Sequence, residues 1–135
     1  MILWDLRSLE CTGMVVASSI LGDSVDIKGN YIIAGAYDPK DGILLYDDRK
    51  FKEPIKSFKT DSHIYACKFS KKEDDYIFAA GGYKTNLMKV FDINKKDYIF
   101  GIEIISSPCY SLDFSMAGTV LAYGCADGAL RIIDI

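Results

Sequence analysis

Few residues of this chain could do chemistry, and His63 is the first of them. It is the single histidine and stands in Asp61-Ser-His-Ile64. A histidine beside a hydroxyl and a carboxylate can act as the general base for a serine nucleophile. No nucleophile elbow or oxyanion loop accompanies it, so the expectation is a loop histidine leading into a strand. The four cysteines are Cys11, Cys67, Cys109 and Cys125. None forms a Cys-x-x-Cys pair or has a histidine at zinc-ligand spacing. Each lies in or beside an apolar run, as reduced core thiols do. Asp38-Pro-Lys-Asp-Gly42 resembles a scrap of a calcium loop but lacks the later carboxylates and the bidentate Glu; a solvated turn is expected there. Gly81-Gly82 is followed by neither a helix start nor Lys-Ser/Thr, so it is not read as a phosphate cradle. The expectation is a non-enzymatic protein with no catalytic residue, no metal and no cofactor.

Charge narrows the partners. The net charge is −3 over 135 residues, and no basic stripe of the kind a phosphate backbone needs is visible, so nucleic acid is not expected. Lys71-Lys-Glu-Asp-Asp75 and Asn94-Lys-Lys-Asp97 are mixed in sign and read as solvated loops. Met1-Ile-Leu-Trp-Asp-Leu-Arg7 is too soon interrupted by charge for a secretory signal. No apolar stretch approaches the ~20 residues of a membrane span. Reduced cysteines fit a cytoplasmic location, with nuclear or cytoskeletal and ciliary association left open.

The elements that must position these residues follow from an internal repeat. Ile2-Leu-Trp-Asp5, Leu44-Leu-Tyr-Asp47, Lys89-Val-Phe-Asp92 and Arg131-Ile-Ile-Asp134 share one shape, with their aspartates 42, 45 and 42 residues apart. Gly35, Gly81 and Gly124 precede three of those aspartates by 12, 11 and 10 residues. Ile27, Phe69 and Phe114 keep the same step, again 42 and 45 apart. Within each period, short apolar runs are broken by turn residues: Cys109–Phe114, Thr119–Gly124 and Ala129–Ile133 read as three strands, with Asp127-Gly128 as a hairpin turn. Tyr31–Ala36 and Tyr76–Gly81 are apolar on consecutive residues, which predicts strands covered on both faces. Outer strands are expected over about 12–19, 53–58 and 97–104.

The run Tyr123-Gly-Cys-Ala-Asp-Gly-Ala-Leu-Arg-Ile-Ile-Asp134 and the opening Ile2-Leu-Trp-Asp-Leu-Arg7 resemble the WD-repeat β-propeller family over nearly the whole chain. The resemblance implies an all-β fold of four-stranded antiparallel blades, here an incomplete arc: a partial blade at 1–19, blades at 24–59 and 63–104, and a partial blade at 108–135 lacking its outer strand. Trp4, Asp5, Tyr46, Asp47, Phe91, Asp92, Ile133, Asp134, Gly35, Gly81 and Gly124 would be its structural signature. Only Trp4 keeps the family's tryptophan, and the Gly-His that opens a repeat is reduced to Gly22-Asp23, His63 and Ser107-Pro108. The polar tetrad of the family is therefore incomplete in each repeat, and apolar packing must hold the fold.

The resemblance also implies a role: a scaffold that docks other proteins in a multiprotein complex. Its loops on one face would carry Tyr37, Asp38, His63, Tyr83, Lys84, Pro108 and Asp127. The two tyrosines occupy matching positions just past the period glycine, as interface anchors or merely as blade caps. An alternative is a structural subunit fragment of a large cytoskeletal or ciliary assembly. An enzymatic reading would need polar groups converging on the first inner strands, where Asp26 and Asp113 are the carboxylates on offer. Such an arc leaves strand edges unpaired, so a second chain or the rest of its own propeller is expected to cover it, and a stable isolated monomer is not.

Overall fold

Runs of Ile, Val, Phe and Tyr separated by Gly, Asp and Ser form thirteen strands among the described residues, and α-helix is absent there. The computed structural model describes residues 1–16, 18–73, 76–95, 98–102 and 106–135. The strands are β1 (Ile2–Asp5), β2 (Glu10–Met14), β3 (Val25–Lys28), β4 (Tyr31–Gly35), β5 (Ile43–Asp47), β6 (Lys56–Phe58), β7 (His63–Phe69), β8 (Ile77–Tyr83), β9 (Met88–Asp92), β10 (Tyr98–Ile102), β11 (Cys109–Phe114), β12 (Val120–Cys125) and β13 (Leu130–Asp134). The fold is all-β. Residues 74–75 and 96–97 of the two mixed-sign runs, and 103–104 of the third outer strand, lie outside the described residues.

Four antiparallel sheets follow one another along the chain, and none closes on itself: β1-β2, β3-β4-β5-β6, β7-β8-β9-β10 and β11-β12-β13. Each hairpin has a local cause. Gly128 (φ 78°) turns the chain between β12 and β13, where the Gly128 N–H donates to the Cys125 carbonyl. Gly42 (φ 64°) closes the longer turn before β5, and its carbonyl accepts the Ala36 N–H. β6 is only three residues long because Pro54 can donate no ladder hydrogen bond just before it. β2 sits at 10–14, earlier than the 12–19 expected, since Glu10 and Cys11 already pair with Asp5 and Trp4, and the pairing resumes at Gly13 past a bulge at Thr12.

Burial explains why the sheets stack. One apolar cluster joins Ile33, Ile43, Leu45 and Phe58 of the second sheet to Ile64, Cys67, Phe69 and Phe78 of the third. A second joins Ala79, Met88 and Val90 of the third sheet to Cys109, Leu112, Phe114 and Leu121 of the fourth. A third lies between β1-β2 and the second sheet, around Val15, Ile32, Tyr46 and Phe51. Each fully buried side chain of this size contributes about 1.5–3 kcal/mol of transfer free energy. β4 and β8 are buried residue after residue, because a sheet covers each of their faces. β12 instead alternates between buried and half-buried residues, one face resting on the third sheet and the other open.

Polar bonds pin successive sheets in register. The Asp26 carboxylate accepts the Phe69 N–H at 2.8 Å, 43 residues away. Lys68 pairs with Asp23 at 3.0 Å and Lys71 with Asp113 at 2.6 Å. Lys28 Nζ donates to the carbonyls of Ser70 and Lys72, and Lys56 Nζ to those of Ile93 and Lys95, so a lysine of the second sheet caps each of two turns of the third. No helix among the described residues is long and apolar enough to cross a membrane.

Candidate protein-binding edge

The site is built where β4, β7 and β8 reach the same edge. Gly35 ends β4, Ala36 is buried, and the chain then brings Tyr37 out, its N–H donating to the Ser19 carbonyl at 2.7 Å. His63 opens β7 and lies opposite Tyr83, which ends β8. The His63 ring stacks on Tyr37 at 4.5 Å between centroids and on Tyr83 at 6.0 Å. His63 Nδ1 lies 2.5 Å from the Tyr37 carbonyl, which requires a proton on that nitrogen and fixes the tautomer. Ser62 is fully buried, and its hydroxyl donates to the Tyr83 carbonyl at 2.5 Å. Histidine and serine therefore hold the edge together, His63 bonded to the backbone just past β4 and Ser62 to that of β8.

Two tyrosines not singled out from the sequence extend the row. Tyr65 meets Tyr37 edge-on at 6.4 Å and Tyr110 edge-on at 5.1 Å. Burial and the neighbouring tyrosines push the Tyr65 hydroxyl above its ordinary range. Tyr37, Tyr83 and Tyr110 remain 38%, 47% and 48% exposed. A signal for the missed pair exists: positions 65 and 110 are separated by the same 45 residues as the landmarks at 69 and 114. Edge-to-face and stacked aromatic pairs are worth about 0.5–1.5 kcal/mol each beyond their buried area. The exposed rings are thus held in place by their neighbours.

The remaining candidates divide by what their side chains do. Asp38 accepts the Lys40 N–H at 3.0 Å and shapes its own turn. Lys84 adopts φ 91° in the turn after β8, followed by Asn86 at φ 47°. Asp127 is held by Arg131 at 2.8 Å, by the Ser106 hydroxyl at 3.0 Å and by the Ala129 N–H at 3.0 Å. These bonds, the guanidinium first, hold its carboxyl well below the usual range. Pro108 accepts the Ala126 N–H at 2.9 Å, so it and Asp127 belong to one tightly bonded corner of the fourth sheet. Tyr37, His63 and Tyr83 are in direct ring contact, whereas Asp38, Lys84, Pro108 and Asp127 shape turns.

The period residues have one local role. Asp5, Asp47 and Asp92 each end a strand and accept, through Oδ1, the N–H two residues on, at 2.9, 3.0 and 2.8 Å. This turn stops the strand and frees the chain to reverse. Tyr46 and Phe91, before two of those aspartates, are 1% and 2% exposed; Trp4 is 58% exposed and Ile133 half-buried. Asp134 is exposed at the end of β13. A cleft beside β3, β7 and β11 is lined by Asp26, Lys28, Lys68, Phe69, Lys71 and Asp113, whose carboxylates already face a backbone N–H and a lysine. Among the described residues, no three His, Cys, Asp or Glu side chains gather as metal ligands. No protein-family model matches this chain, and no curated protein matches it.

Proposed function

We propose that this chain is part of a WD-repeat-type β-propeller and serves as a non-catalytic scaffold that docks other proteins. The observation that carries the reading is the aromatic row Tyr110–Tyr65–Tyr37–His63–Tyr83 along one edge of the stacked sheets. Exposed tyrosines on strand ends lose little entropy on binding and are enriched among residues that carry interface energy. The period of 42 to 45 residues and the succession of two-, four-, four- and three-stranded sheets support wedge-like blades. The edge is argued as a site for protein partners because the chain is weakly acidic and Lys28, Lys56, Lys68 and Lys71 are engaged between sheets.

The test is capture of protein partners by the whole chain, compared with Tyr37→Ala and Tyr83→Ala. A stoichiometric partner is expected, bound at least ~30-fold more weakly by each variant, as loss of an anchor worth about 2 kcal/mol requires. Capture that ignores both substitutions, or no stoichiometric partner, overturns this assignment. The alternative, a structural subunit of a large cytoskeletal or ciliary assembly, is favoured by one observation: Leu130 and Ile132 stand 71% and 66% exposed on the open face of the fourth sheet. A chain whose tyrosine variants bind normally, but whose Leu130 and Ile132 are protected in the native assembly, would answer to that description.

A further inference from the structure

We propose that Cys109 and Cys125 form a reversible cross-strand disulfide in the fourth sheet. The two residues are direct partners in the β11–β12 ladder, and both are free thiols. The Ala126 N–H donates to the Pro108 carbonyl, while the Cys125 N–H turns away to Ala129. Cys109 and Cys125 therefore occupy a non-hydrogen-bonded pair, whose Cα atoms in general lie about 4.5 Å apart with side chains close together. That spacing falls inside the range of about 4.4–6.8 Å that a disulfide accepts. Both sulfurs lie on the side of the third sheet: Cys109 is fully buried over Gly81, and Cys125, half-buried, packs at the rim of the same cluster.

Packing alone does not call for sulfur here. At the same place in the third sheet, Ile64 lies opposite Gly82. A bulge between Cys109 and Ser111 interrupts the ladder next to the pair and gives β11 room to adjust. The Arg131 guanidinium, anchored on Asp127, interacts electrostatically with Cys125, so the more accessible sulfur has a cation in its surroundings. Burial pushes the Cys109 thiol up to about 12, which leaves Cys125 to attack first.

The oxidant is a low-molecular-weight disulfide. The Cys125 thiolate attacks one of its sulfurs, a Cys125–S–S–R bond forms, and one thiol R–SH leaves with the proton Cys125 gave up. Cys109, losing its own proton, attacks the Cys125 sulfur, and the second R–SH leaves. Two protein thiols are oxidised to one disulfide, and the small disulfide is reduced to two thiols. In the reduced form the Cys109 sulfur fills the space over Gly81. Closure draws that sulfur toward Cys125, so oxidation repacks the contact between the third and fourth sheets.

The experiment uses the whole chain carrying Cys11→Ser, since Cys11 is exposed and would add its own adduct. The reduced protein is incubated with oxidised glutathione and followed by intact mass and peptide mapping. The expected result is loss of two hydrogens and a Cys109–Cys125 link that a dithiol reductant reverses. With Cys109→Ser added, the reaction should stop at a glutathione adduct on Cys125; with Cys125→Ser, neither adduct nor link should form. An unchanged mass, a lasting adduct on Cys125 while Cys109 is present, a link between two chains, or a link through Cys67 would overturn the proposal.

Discussion

Asp47 and Arg49 show how much one residue of the repeat does. Asp47 Oδ1 accepts both the Arg49 N–H and Nε, and Oδ2 accepts Nη2 at 2.6 Å. These bonds hold the carboxyl at about 2. An unfolded aspartate titrates near ~3.9, so the folded form binds the proton more weakly than the unfolded chain does. The stabilisation is therefore complete above about pH 4 and is lost as the pH falls toward about 2. Asp47→Asn removes the titrating group. The gap in urea midpoint between the wild type and this variant should shrink steadily from about pH 5 to about pH 2. A gap that stays constant across that window would contradict the role given to the pair. Asp5 repeats the motif with Arg7, but its partner is 93% exposed, and solvent screens such a pair so that it adds little to stability.

At the scale of elements, the matching glycines of three successive periods meet different surroundings. A Cβ on Gly35 would overlap the Ile64 side chain, and one on Gly81 would overlap the Cys109 sulfur. Each glycine lies where the first strand of the following sheet presses closest. A Cβ on Gly124 would meet only the Ser111 hydroxyl, at 2.9 Å, because no sheet lies over it. Gly35→Ala and Gly81→Ala should each cost about 1–3 kcal/mol by overpacking. Gly124→Ala should cost less than about 1 kcal/mol, since a serine side chain can rotate away. Urea denaturation of the three variants checks the order, and equal losses at all three positions would mean that sheet stacking is not what selects glycine.

At the scale of the whole molecule, the contacts of the third sheet with the second and fourth are closed, while β3 and β13 leave apolar side chains open. Val25 and Ile27 on β3 are 36% and 59% exposed, yet their counterparts Cys67, Phe69, Leu112 and Phe114 are at most 5% exposed. On the other side, Leu130 and Ile132 project from β13, whose free edge has no strand paired to it among the described residues. Contiguous apolar surface beside an unpaired edge drives association. The isolated chain should sediment as species larger than a monomer, and Leu130→Lys with Ile132→Lys should shift the distribution toward monomer. A wild-type chain that sediments as a soluble, cooperatively unfolding monomer would refute this.

Much of the architecture was legible in the order of residues because its causes are local. The strands at 109–114 and 120–125, the Asp127-Gly128 hairpin and the all-β class follow from apolar runs and turn chemistry that each act over a few positions. Consecutive burial in 31–35 and 77–82 was also readable, as a pattern without alternation. The candidate site was legible only in part. Tyr37, His63 and Tyr83 could be named from their place in the period, but their ring contacts arise when strands 26 residues apart are brought edge to edge. Tyr65 and Tyr110, and the facing of Cys109 with Cys125, depend on sheet stacking and on a bulge that shifts the register. Local propensity determined the strands, the turns and the period; the tertiary structure decided which surfaces touch, because that depends on side-chain volumes meeting between sheets that the chain itself visits some 45 residues apart.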